Sequence, residues 1–101
     1  MKDLIGQPIH PGEVLGEVYM KSAQPPLSVG DVAESIDVSP RELANFLEGQ
    51  RPATMPLAAR LAMRFRTTPA YWLGLQALYD TRSHASRLAT VRPLTTKQPR
   101  R

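Results

Sequence analysis

Arg41 and Asn45 stand one helical turn apart, and of all the side chains in this sequence they are the best equipped to read a nucleic-acid base. A guanidinium can bond guanine O6 and N7 together, and a carboxamide can do the same with adenine N6 and N7. Glu42 beside them could accept from cytosine N4, although a capping role competes for it. Ser28, Gln50 and Arg51 are suited to phosphate, which orients a protein on nucleic acid without specifying sequence. With Ser39 these make seven candidate contacts: Ser28, Ser39, Arg41, Glu42, Asn45, Gln50 and Arg51. The alternative is that Arg41 and Asn45 only solvate an exposed helix face.

Other reactive groupings are sparse. His10 and Glu13 lie at i and i+3, a spacing that can hold a metal. The one further histidine is His84 and there is no cysteine, which is too few donors for a protein zinc site. A structural role is the better reading, with His10 near a helix start and Glu13 complementing the helix dipole. No serine, histidine and acid follow one another in a meaningful order, and no glycine-rich loop follows a strand. The pattern supports no enzyme, no cofactor and no metal.

The elements that must position Arg41 and Asn45 are two short helices within 27–49, LSVGDVAESIDVSPRELANFLEG. Ser28 can cap the first, where Val29, Val32, Ala33 and Ile36 recur at i, i+3, i+4 and i+7. In the second, Ser39 precedes Pro40, and Glu42 completes the spacing of a capping box. Leu43, Phe46 and Leu47 form its apolar face, and Gly49 suits a left-handed stop. Only Asp37 and Val38 separate the two, which predicts a helix-turn-helix corner.

Around that corner the spacing predicts a first helix from His10 or Pro11 to about Ser22, with Val14, Leu15, Val18 and Tyr19 facing inward. Pro25-Pro26 enforces a loop. Thr54 with Pro56 starts a fourth helix reaching Phe65, whose stripe is Leu57, Ala58, Leu61, Ala62 and Phe65, with Arg60 and Arg64 opposite. Thr68 with Pro69 starts a fifth, reaching about Ser83. That helix is apolar on more than one side, so Trp72, Leu75, Leu78 and Tyr79 are either core or dimer interface. Gln76 among them is expected to be a buried hydrogen-bond partner.

A chain of 101 residues holds a single modest core. The net charge of +4 is unevenly spread. Residues 81–101 hold six basic groups and no acid, while residues 1–80 hold seven basic groups against nine acids. The basic tail could grip DNA backbone, bind an acidic partner or simply solubilise. The organisation expected is an irregular segment at 1–9, a helix-turn-helix domain over 10–84 and a basic, flexible tail over 85–101. No apolar run approaches the roughly 20 residues that span a bilayer, and MKDLIGQP lacks a signal-peptide core, so a cytoplasmic location is expected.

Three stretches together resemble the HigA-type (VapI-like) antitoxins of the xenobiotic-response-element class of helix-turn-helix regulators. They are His10-Pro11-Gly12-Glu13-Val14-Leu15, the corner with Val38-Ser39-Pro40, and Thr68-Pro69 followed by Trp72-Leu73-x-Leu75-Gln76 and Tyr79-Asp80. The resemblance covers about residues 8–82. It implies an all-α fold, a five-helix bundle with a lambda-repressor-like helix-turn-helix, and a homodimer. It further implies a transcriptional autoregulator that binds operator DNA and neutralises a RelE-like toxin cleaving mRNA. Toxin contacts would then involve the N-terminal segment and first helix, here His10, Glu13 and Glu17. Two departures stand out: Asp37 occupies a corner that is commonly glycine, and acids lie on or beside the reading helix. The alternative they raise is a protein-binding module of the same fold that has lost sequence-specific DNA binding.

Overall fold

The computed structural model describes residues 8–88. Five helices follow one another, and among the described residues there is no strand. α1 opens as an α-helix over Pro11–Val14 and continues as a π-helix over Leu15–Met20. α2 spans Val29–Ser35, α3 Pro40–Leu47, α4 Met55–Phe65 and α5 Pro69–Leu88. The all-α, five-helix expectation holds. α5 runs past the expected end near Ser83, so the boundary drawn at 84 does not mark a helix end. The expected irregular 1–9 and tail 85–101 otherwise lie largely outside the described residues.

Local signals set most of the helix starts. Ser28 Oγ accepts from the Asp31 N–H at 3.1 Å, and Ser39 Oγ from the Glu42 N–H at 3.0 Å. Thr54 Oγ1 accepts from Leu57 N–H at 3.4 Å, and Thr68 Oγ1 from Tyr71 N–H at 3.1 Å. Each satisfies a first-turn donor that the helix itself leaves unpaired. The capping box is only half made. Ser39 plays its part, but the Glu42 carboxylate turns away to Arg51, 3.3 Å distant.

The core is one cluster in which Leu15, Val32, Leu43, Phe46, Leu61 and Trp72 are almost wholly buried. The stripe expected on α1 is partly wrong. Leu15 and Met20 are buried, whereas Val18 is 55% exposed. The cause is the π winding, marked by the Lys21 N–H to Gly16 carbonyl bond at 2.9 Å, which spans five residues. The wider turn shifts the phase, carrying Val18 outward and Met20 inward. Tyr19 is thereby set against Phe65 and Trp72, with ring centroids 5.5 Å away in each case.

Candidate nucleic-acid interface

The corner between α2 and α3 is locked by backbone conformation and by a side chain from α4. Asp37 takes φ +60°, the left-handed conformation that aspartate tolerates better than most residues. Arg60 reaches across from α4 and donates to the carbonyls of Ile36 at 2.8 Å and Asp37 at 3.4 Å. One guanidinium thus satisfies acceptors at the end of α2 and holds the turn from which α3 departs. Arg64 does similar work one turn on, donating to Ser35 Oγ at 3.0 Å. The sequence placed both arginines on the outer face of α4 but carried no signal of where they reach.

α3 is thereby fixed with Leu43 and Phe46 buried, and Arg41 exposed on the opposite side with Asn45 half-buried. Helical spacing places Arg41, Asn45 and Glu48 on one outward face. Glu42 lies to its flank and faces the loop to α4, where its carboxylate meets Arg51. That pair partly neutralises the acid beside this face, and it also occupies the arginine expected on phosphate. The loop itself is anchored from α5, because the Ala53 N–H donates to Gln76 Oε1 at 2.7 Å. Gln76 makes the hydrogen bond expected of it but is half-buried rather than buried, with Asp80 at 2.9 Å accepting from its amide. Gly49, at φ +80°, supplies the left-handed stop after α3. Ser28 is exposed at the start of α2, and Gln50 is exposed in the loop.

No family model matches the chain. Virulence-associated protein I of Dichelobacter nodosus is 38% identical over 72 residues, 71% of this chain and 65% of that protein. Among solved structures, the antitoxin GraA superimposes with a TM-score of 0.79 at 30% identity, covering 93% of this chain and 98% of GraA. An addiction-module antidote protein of the HigA family from Coxiella burnetii gives 0.76 at 32% identity, covering 93% and 99%. This chain is a HigA-type antitoxin-family regulator. GraA has also been solved in complex with its operator, and that form matches at 29% identity and a TM-score of 0.77 over all of this chain. The family comprises helix-turn-helix transcription regulators, and this member is not an enzyme.

The remaining expected sites of this HigA-type chain are dispersed. Trp72 is 0% exposed, and its indole N–H donates to Thr67 Oγ1 at 2.7 Å. It belongs to the core of its own chain and has no surface to give a partner. Leu75 packs partly against the same core, and Tyr79 is half-buried against His10. Of the four residues, only Leu78 is largely open, at 52% exposure. Glu13 and Glu17 are exposed on α1, Glu17 pairing with Lys21 at 2.8 Å.

His10 is 6% exposed, so it offers little surface for a partner to contact. It is the cap of α1, its Nδ1 accepting from the Gly12 N–H at 2.9 Å. Its ring stands edge-on to Phe46 at 5.5 Å and Tyr79 at 4.9 Å. Burial pushes the imidazole below its ordinary pKa of 6.5, opposed by the Arg51 backbone and by the Asp80 and Glu13 carboxylates. The unfolded chain therefore takes up this proton more readily than the folded one. Stability from this group is complete above pH 6.5 and is lost as pH falls below it toward the folded pKa. His10→Asn keeps a capping acceptor that does not titrate. Thermal melts between about pH 7.5 and about pH 5 are expected to show a shallower acid loss for that variant than for the wild type.

Among the described residues no three His, Cys, Asp or Glu side chains gather as a metal would require. No helix among them is long and apolar enough to cross a membrane.

Proposed function

We propose that this chain is the antitoxin of a type II toxin–antitoxin pair, a cytoplasmic homodimer that represses its own promoter and neutralises a RelE-like mRNA endonuclease. The observation that carries the DNA part is the outward face of α3. Arg41 and Asn45 project from a helix whose corner is braced by Arg60, in a chain whose relative GraA binds its operator. In a dimer the two α3 helices would enter successive major grooves about 34 Å apart, with Arg41 and Asn45 at base edges. Ser28, Ser39 and Gln50 would lie toward phosphate. Leu78, with the open edges of Leu75 and Tyr79, is the apolar surface offered to the second subunit. Glu13 and Glu17 on α1 are the surface offered to the toxin.

Arg41→Ala is expected to weaken operator binding by about 1–3 kcal/mol and to relax preference at one base position, leaving toxin binding intact. Competition titrations with single-base operator variants measure both effects. Equal operator affinity for the two proteins would remove Arg41 from the reading role. One observation favours a second reading, a protein-binding module without DNA specificity. Glu48 is exposed on the same face as Asn45, where a carboxylate opposes phosphate. Toxin binding without any preference for operator over scrambled DNA would establish that reading instead.

A further inference from the structure

Between the start of α1, the end of α3 and the middle of α5 lies a cleft of about 260 Å³, lined by His10, Glu13, Leu47, Glu48, Gly49 and Tyr79. Its walls and its charges point to one kind of occupant. Leu47 and the half-buried Tyr79 ring supply aliphatic and aromatic surface, and the almost wholly buried His10 ring packs edge-on against Tyr79. Glu13 and Glu48 bring two exposed carboxylates from different helices to the same opening. Among the described residues neither has an ion-pair partner, whereas Glu17, Glu42 and Asp37 are paired with Lys21, Arg51 and Arg60.

A mostly polar slot that carries two unpaired carboxylates beside an aliphatic and an aromatic side chain suits a long side chain that ends in a cation. The stem lies along the apolar wall, and the head reaches the carboxylates. Arginine fits better than lysine, because its planar, weakly hydrated guanidinium both stacks on a ring and bonds carboxylates in pairs. We propose that this cleft receives an arginine side chain of a basic protein that docks on α1. The identity of that protein as the toxin rests on the antitoxin reading above; the cleft's preference for arginine does not. The positive charge of the docking side chain follows from the two carboxylates, Glu13 and Glu48, that line the cleft.

The test is a titration of the isotopically labelled full-length protein with N-acetyl-arginine methylamide, followed by amide and Tyr79 ring chemical shifts. Saturable shifts are expected at Glu13, Leu47, Glu48, Gly49 and Tyr79, with the citrulline and lysine counterparts about tenfold weaker or more. The double variant E13Q/E48Q, altered only at exposed positions, is expected to fold normally and to lose the response. No saturable shift, equal binding of the citrulline or lysine counterpart, or full binding by E13Q/E48Q would each overturn the proposal. So would Overhauser contacts from the Tyr79 ring to one of the chain's own tail arginines, which would make the cleft an internal docking site. A toxin that fails to bind the protein would sink the antitoxin reading alone and leave this titration unaffected.

Discussion

Gly12→Ala is expected to destabilise the protein by about 3 kcal/mol or more, against the direction of helix propensity. Alanine is the better helix former by about 1 kcal/mol, so a reading of α1 alone would forecast a gain. The packing of α1 on α3 decides otherwise. A Cβ at Gly12 would overlap the Phe46 carbonyl oxygen and come within 2.6 Å of its carbon and 3.0 Å of the Leu47 Cα. These are backbone atoms of the helix that carries Arg41 and Asn45, and no rotamer change relieves them. α1 must then lift from α3, which also strains the His10 cap and opens the Leu15 core. For a domain whose total stability is about 5–15 kcal/mol this is a large fraction. Gly30→Ala is the control, because nothing lies within 4 Å of a Cβ there. It is expected to gain about 0.5 kcal/mol in α2. Urea midpoints for the two variants, at unchanged slope, should move in opposite directions.

Trp72→Ala is expected to cost about 3–5 kcal/mol of folding stability, the range for truncating a large buried aromatic side chain. Trp72 touches both Tyr19 and Tyr71, with centroids 5.5 and 5.0 Å away, and so joins α1 to α5. Its removal leaves a cavity and takes away the indole partner of Thr67. The same substitution separates core from interface. A core residue changes the unfolding free energy whatever the protein concentration, whereas an interface residue acts through the dimer constant. Denaturation across a hundredfold range of concentration, about two decades, distinguishes them. A loss confined to dilute samples would return Trp72 to the subunit contact. Leu78→Ala, at an open position, is expected to behave in that second way.

The helix starts and the corner were legible because their determinants are local. Ser28, Ser39, Thr54 and Thr68 lie just before apolar stripes, three of them with a proline in the following first turn, and each accepts the bond its position implies. Asp37 and Gly49 take the left-handed conformations their places demand. What the sequence hid depends on distant partners or on a change of helical phase. The π winding of α1 altered which of Val18 and Met20 faces inward, since a stripe read at 3.6 residues per turn assumes α geometry. Arg60 was placed only opposite the apolar stripe of α4, and it braces the corner 23 residues away. Glu42 left its capping role for Arg51, and His10, which has the structural role at a helix start read for it, is buried between Phe46 and Tyr79 rather than open to a toxin as the resemblance implied. That Arg41 and Asn45, the pair proposed to read bases, share one face of α3 could be placed from the sequence because helix geometry alone sets their spacing.

Whether this helix-turn-helix reads DNA is decided most directly by one binding experiment. Purified protein is titrated into labelled DNA from upstream of its own gene, with scrambled DNA of equal length as control, across a salt series followed by fluorescence anisotropy. Upstream DNA is expected to bind on the order of a thousandfold more tightly than scrambled DNA, with affinity falling steeply as salt rises. Equal affinity for the two DNAs at every salt concentration would contradict DNA reading.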